Sequence, residues 1–157
     1  MNQGSLLQHV FDAKKAHLRW VKRARHLVEG LPVDKEFVPL KPTDCHFGTW
    51  LYSEGAILNQ ISSTSKLMQQ IELIHNEVHD TYKNIYEIFF IIPNEKSLLY
   101  KIFTFNSYKI STTEQEKAKI YLKYLQRASQ ELIILLTELG KEITTFSYRE
   151  TTPPQIH

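Results

Sequence analysis

Thr43-Asp44-Cys45-His46-Phe47-Gly48-Thr49-Trp50 holds the only cysteine in a chain of 157 residues. It follows a loop punctuated by Pro32, Pro39 and Pro42 and opens a segment with helical patterning. Thr43 and Asp44 are both of the type that caps a helix N-terminus. The pattern predicts a helix over residues 45–60, with Cys45 in its first turn. There the free backbone N–H groups and the helix dipole favour a thiolate. Gly55 interrupts the segment, which predicts a bend or two short pieces.

Working outward, residues 5–29 read as one long helix. Leu6, Val10, Ala13, His17, Trp20, Ala24 and Leu27 step by 4, 3, 4, 3, 4 and 3, the spacing of a single inward stripe. His17 stands in that stripe where an apolar residue is expected. Gly30, with Pro32 soon after, is a stop signal. On the other side of the cysteine, residues 65–92 predict a third helix ended by Pro93. It carries two adjacent stripes, Leu67, Ile71, Ile74, Val78, Ile85 and Ile88, and His75, His79, Tyr82, Tyr86 and Phe89. A short helix is expected over residues 96–107. Ser111-Thr112-Thr113-Glu114 reads as a capping box that starts a last helix to about residue 144. Its expected core face is Ala118, Tyr121, Leu125, Ala128, Leu132, Leu135, Leu139 and Ile143, and Gly140 is expected to fray its end. No strand signal of any strength is present. The fold class is therefore all-α: an antiparallel four-helix bundle with an additional short helix over residues 1–145, and a flexible tail or linker over residues 146–157.

Composition limits the function classes. The length suits one domain with a single core, and the 42% hydrophobic share excludes a disordered chain. Nineteen basic against 17 acidic residues give a net charge of +2, without the one-sided basic charge that nucleic-acid binding needs. The basic cluster Lys14, Lys15, Arg19, Lys22, Arg23 and Arg25 is diluted by Asp12 and Glu29 and reads as a solvated helix face. No apolar run approaches the ~18 residues of a membrane span. Met1-Asn2-Gln3-Gly4-Ser5 shows no charged, cleavable leader pattern. One unpaired cysteine fits a reducing compartment, so a cytoplasmic location is expected.

The polar intruders on the inward faces carry the chemistry. His75 and His79, four apart, project from one helix face and can hold one ion. His17 faces inward from another helix, and Cys45 offers a soft thiolate. Three imidazoles and a thiolate make a tetrahedral set suited to zinc rather than to hard, oxygen-preferring ions; copper and nickel also accept it. Each residue alone has a plainer reading. A single inward histidine is commonly a hydrogen-bonded core residue, His-x-x-x-His is a weak motif, and a buried cysteine behaves as a small hydrophobe. Spacing by itself leaves the two readings open.

Taken together, these residues resemble the chemoreceptor zinc-binding (CZB) domain family. His17-Leu18-Arg19-Trp20 is similar to its first-helix His-x-x-Trp. Cys45-His46-Phe47-Gly48-Thr49-Trp50 is similar to its Cys-x-Phe/Leu-Gly-x-Trp signature, and His75-Asn76-Glu77-Val78-His79 to its third-helix His-x-x-x-His. The matching motifs span residues 17–79. The resemblance implies a cytoplasmic bacterial sensor domain, as in chemotaxis and related signal transduction. It implies one Zn2+ held by His17, Cys45, His75 and His79. It also implies a homodimer, an output partner such as a chemoreceptor or a diguanylate cyclase, and a thiolate that responds to oxidants such as hypochlorous acid. Trp20, Trp50, Phe47 and Gly48 are expected to pack around the site; core packing explains the two tryptophans nearly as well. His46 is expected on a different face from Cys45 and is not counted as a ligand, and His9 and His26 read as surface residues. No output module is recognisable in the chain, and residues 86–111 match no motif; core packing or a partner surface would each explain their aromatic content.

Three other functions compete. A zinc-dependent hydrolytic enzyme would keep an open metal position and a nearby base, whereas four ligands close the site and Glu77 is expected to point away from the histidine face. A di-iron carrier of the hemerythrin type would need more inward histidines and bridging carboxylates. A structural zinc in an interaction module shares every ligand with the sensor.

Overall fold

The computed structural model describes residues 2–31, 33, 39–91 and 110–151, with side chains in the last helix described as far as residue 145. The four α-helices are α1 (Gln3–Val28), α2 (His46–Leu51), α3 (Ser62–Tyr86) and α4 (Thr112–Thr151). Single 3₁₀ segments cover Pro42–Asp44 and Glu54–Gln60, and a π turn, Glu87–Ile91, extends α3. No strand occurs among the described residues, so the all-α bundle is as expected. The short helix expected at residues 96–107, the stops at Pro32 and Pro93, and the tail beyond residue 151 lie outside the described residues.

Helix α1 shows how sequence becomes architecture. Asn2 caps it by accepting the Ser5 N–H at 2.8 Å. At its end Gly30 takes φ 79°. The Leu31 N–H then reaches the His26 carbonyl and the Gly30 N–H the Leu27 carbonyl, the two bonds of a Schellman stop. Between these ends Val10, Ala13, His17, Trp20, Ala24 and Leu27 are all buried, as the stripe requires. The basic residues of α1 are exposed or half-buried around the rest of its circumference, Lys15 lying over the Phe11 ring at 5.3 Å.

Helix α4 begins with the capping box read from the sequence. The Glu114 carboxylate accepts the Ser111 N–H at 2.7 Å, and Ser111 Oγ accepts the Glu114 N–H at 3.2 Å. The helix then runs through Gly140 and beyond residue 144 to Thr151. Thr144 and Thr145 donate their hydroxyls back to the Gly140 and Lys141 carbonyls, which seats these β-branched residues within the helix. Its buried face is Ala118, Leu125, Ala128, Leu132, Leu136, Leu139 and Ile143. Leu136 takes the place expected for Leu135, and Tyr121 is only half-buried.

Helix α4 packs along both α1 and α3. It is antiparallel to α1, because Gln3 donates to the Ile143 carbonyl at one end and Gln115 to the Val28 carbonyl at the other. Helices α1 and α3 run in the same sense: His17 meets His75, and Trp20 meets His79 and Tyr82. Packed against both are α2 and the 3₁₀ segment after it, the two pieces expected around Gly55. Leu132, fully buried in the middle of α4, is part of the shared core. Leu132→Ala should therefore lower the unfolding free energy by about 2–5 kcal/mol. Urea denaturation with an unchanged slope checks this.

Candidate metal centre

Three elements deliver four ligand-type side chains to one place between α1 and α3. His17 is 1% exposed, His75 and His79 are 0% exposed, and Cys45 is 4% exposed. One nitrogen from each histidine lies within 4.8 Å of the others. The imidazoles meet edge to face, with ring centroids 5.4 Å apart for His17 and His75 and 4.7 Å for His75 and His79. Cys45 stands beside that group and not within it: its Sγ is 3.3 Å from His75 Nε2, but it does not lie within 4.8 Å of a ligand nitrogen on all three histidines. Zinc bond lengths of ~2.0–2.1 Å to nitrogen and ~2.3 Å to sulfur place tetrahedral corners roughly 3.3–3.6 Å apart. The sulfur–nitrogen edge of such a site is roughly 3.5–3.6 Å, so the thiol stands slightly closer to His75 than a shared zinc requires.

Cys45 departs from the expectation in two respects. Cys45 is not in the first turn of α2 but is its N-cap, with extended backbone (φ −81°, ψ 151°). Thr43 and Asp44 belong to the 3₁₀ turn before it. The thiol does the capping itself: the Gly48 N–H donates to Sγ at 3.1 Å. A second correction concerns its charge. Burial pushes the thiol pKa up, and Asp44 adds to this, while the Gly48 and Phe47 backbone N–H groups pull the other way without prevailing. Without metal the group is a thiol, and a bound cation is what would make it a thiolate.

The histidines are held neutral. His75 falls to about 3, first from burial and then from the His17 and His79 rings beside it. His79 falls to about 4, mainly from burial and then from His17; the carbonyls of Leu40 and Pro39 and the Asp44 carboxylate partly offset this. Those two carbonyls approach the ring without making a hydrogen bond of good geometry, since both His79 nitrogens lack a partner. Burial also lowers His17, against the opposing pull of its bond to Ala13. His17 Nδ1 donates to the Ala13 carbonyl at 2.7 Å, which fixes the tautomer and leaves Nε2 with a free lone pair.

The unpartnered atoms test the fit to a metal. Seven buried side-chain polar atoms lack a hydrogen-bond partner among the described residues, and four are nitrogens of His17, His75 and His79. Buried polar groups are almost always paired because leaving one unpaired costs ~1–3 kcal/mol. Several lone pairs orphaned together, beside a thiol, form a donor set for a soft or borderline cation. The residues fit zinc.

The surroundings are aromatic and, around His75 and His79, tightly fitted. Trp20 lies edge-on to His79 at 4.6 Å, and Phe47 edge-on to His75 at 5.1 Å. Trp50 packs on Phe47 at 5.6 Å rather than on a histidine of the cluster. Gly48 allows the closest approach: a Cβ there would lie 1.8 Å from the Pro42 carbonyl oxygen and 3.3 Å from His75 Cε1. His46 is exposed and Glu77 is exposed, both outside the cluster as expected. His9 differs from a plain surface residue; it is half-buried and stacks on Trp50 at 5.3 Å. No periodic signal points to that contact, because His9 lies beside the inward stripe of α1 and not in it.

These shifts set a pH dependence for the metal-free protein. His75 and His79 have folded values of about 3 and about 4 against 6.5 when unfolded, so in that window the unfolded chain binds more protons. Stability is then fully present above pH 6.5 and is lost as pH falls toward 4. Melting of chelator-treated protein across this range should show a falling temperature, and a flat profile would contradict the buried neutral rings.

No helix among the described residues is long and apolar enough to cross a membrane. Comparison with curated proteins and with solved structures returned no match. Comparison with protein families did: residues 17–86, a segment that contains the motif span 17–79 and holds His17, Cys45, His75 and His79, match the model of the chemoreceptor zinc-binding domain.

Proposed function

We propose that this chain binds one zinc ion through His17, Cys45, His75 and His79 and works as a sensory or regulatory domain in bacterial signalling. The observation that carries the reading is the group of orphaned nitrogens on three imidazoles buried together, one of which, His75, meets the lone thiol through its other nitrogen, Nε2. Zinc would supply a tetrahedral cross-link with no redox chemistry of its own. The chain's own residues define what that link would tie together. His17 belongs to α1, His75 and His79 to α3, and Cys45 to the start of α2. Occupancy therefore favours one packing of these elements. A partner that prefers another packing is coupled to occupancy by the same free energy in both directions.

Cys45 is the donor most able to leave. The histidines are anchored within helices of 25 and 26 residues, whereas Cys45 caps one of six. Oxidation of its sulfur to a sulfenic acid would remove the soft donor. In this reading the domain acts in the cytoplasm, pairs with a second copy, and controls an output module such as a chemoreceptor or a diguanylate cyclase. A structural zinc in an interaction module is the competing reading, supported by the near-complete burial of all four side chains. Hydrolytic catalysis has less support, since four donors leave no open position and Glu77 is exposed.

Replacing Cys45 tests the ligand role without emptying the core. Cys45→Ala should keep its helical content and raise the zinc dissociation constant by about a hundredfold, one ligand's share of a ~10–16 kcal/mol site. Unchanged affinity would remove Cys45 from the set. Hydrogen exchange on zinc-loaded and chelated protein separates sensor from staple: changes reaching α4, which carries no ligand, support a shift in packing.

A further inference from the structure

We propose that the cleft beside His17 and Cys45 is the path by which zinc reaches and leaves the buried centre, with Asp12 and His46 passing the ion between water and the inner donors. The proposal rests on the reading of His17, Cys45, His75 and His79 as a zinc site. The cleft has a volume of about 210 Å³, and its walls include Asp12, Ala16, His17, Cys45 and His46. Two of the four inner donors thus line it, and His75 and His79 do not. Among the described residues this cleft leads from the centre toward solvent, on the side of the capping thiol.

The chemistry of the walls matches that position. His17 Nε2 is buried and unpartnered, and its ring is fixed through Nδ1, so this wall residue keeps a free lone pair. Toward solvent the cleft carries a carboxylate and an imidazole. Asp12 is half-buried and accepts from Gln8 Nε2 at 2.9 Å, which leaves its other oxygen without a hydrogen bond among the described residues. His46 is exposed and stacks loosely on His9, with centroids 5.9 Å apart. Neither joins the inner group of three histidines.

A divalent ion crossing an apolar cleft would lose its water shell before gaining protein ligands, at high cost. An oxygen and a nitrogen donor along the way exchange waters for ligands in stages. Such groups lower the barrier and leave both end states unchanged. Uptake and release must then change by the same factor, and the dissociation constant must stay fixed. Inner ligands and supporting residues behave differently, because their loss speeds release and weakens binding.

The test is stopped-flow zinc uptake by the chelated full chain, and release into an excess of a chromogenic chelator. The variants are Asp12→Asn, His46→Gln, their combination, and Ala16→Leu, which narrows the cleft without touching either donor. Asp12 and His46 lie outside the core, and circular dichroism with thermal melting confirms that each variant is folded. The double variant should slow uptake and release alike by about tenfold, with the dissociation constant held within about twofold. Ala16→Leu should slow both rates as well. Unchanged rates in the double variant overturn the path, and so does faster release with weaker binding, which would make Asp12 and His46 part of the holding set. Cys45→Ala and His75→Ala measured alongside separate the two layers: weakened binding there with unchanged rates in the double variant sinks the path alone, whereas unchanged binding in both sinks the zinc centre and the path with it.

Discussion

His75→Ala is expected to abolish tight zinc binding and to destabilise the metal-free protein as well. The ring is fully buried and touches every part of the site: Cys45 Sγ at 3.3 Å, and Phe47, His17 and His79 at centroid distances of 5.1, 5.4 and 4.7 Å. Losing one donor of four from a site worth ~10–16 kcal/mol removes about 3 kcal/mol, or two powers of ten in affinity. Further loss is expected because Cys45 keeps its place at the cluster through this ring. Truncation to a methyl group also leaves a cavity between α2 and α3, at about 3 kcal/mol for a large buried side chain. Isothermal titration with zinc and urea denaturation after chelation read the two effects separately. Parent-like values in both would mean that the centre does not involve α3.

Gly48→Ala is expected to be nearly as damaging, although glycine carries no ligand atom. Its Cα faces the backbone of the 3₁₀ turn, and the added Cβ would lie 1.8 Å from the Pro42 carbonyl oxygen and 2.8 Å from its carbon. No side-chain rotation relieves a clash with backbone, so the turn must move or α2 must. Either movement displaces Cys45, which lies between them and receives the Gly48 N–H on its sulfur. Overpacking of this kind costs about 1–3 kcal/mol, and more where backbone has to shift. Zinc affinity should fall along with stability. An alanine variant with parent affinity and parent melting would show that the turn does not hold the thiol in place.

The glycine explains why a short motif carries so much of the site. A residue without a side chain lets the Pro42 turn lie against α2, and that contact sets the thiol facing His75. None of this geometry is legible in spacing alone. The sequence shows a cysteine near a helix start but not that its own sulfur is the cap. It suggests a lowered thiol pKa from the helix dipole, whereas burial decides the direction upward. Burial of a particular atom depends on Trp20, Phe47 and the loop around Pro39 arriving from elsewhere in the chain.

Other parts were legible because the physics is local. The inward stripe of α1 predicts the burial of His17, since a 4-3 repeat leaves one choice of face. The capping box at Ser111 and Glu114 fixes the start of α4 through two short-range hydrogen bonds. Where apolar residues adjoin, the repeat cannot choose. Leu132-Ile133-Ile134-Leu135-Leu136 offers two continuations of one stripe, and packing against α1 and α3 selects Leu136. Likewise Met68, and not Leu67, is buried at the start of α3. The end of α4 lies past the fraying expected at Gly140, because the Thr144 and Thr145 hydroxyls bond to the preceding turn and seat both residues in the helix.

The most direct test of the zinc centre is X-ray absorption at the zinc edge on protein purified without added metal. One zinc per chain with a first shell of three nitrogens and one sulfur is the predicted result. A shell without sulfur, or protein that is folded and carries no zinc and takes up none, would contradict the assignment of His17, Cys45, His75 and His79.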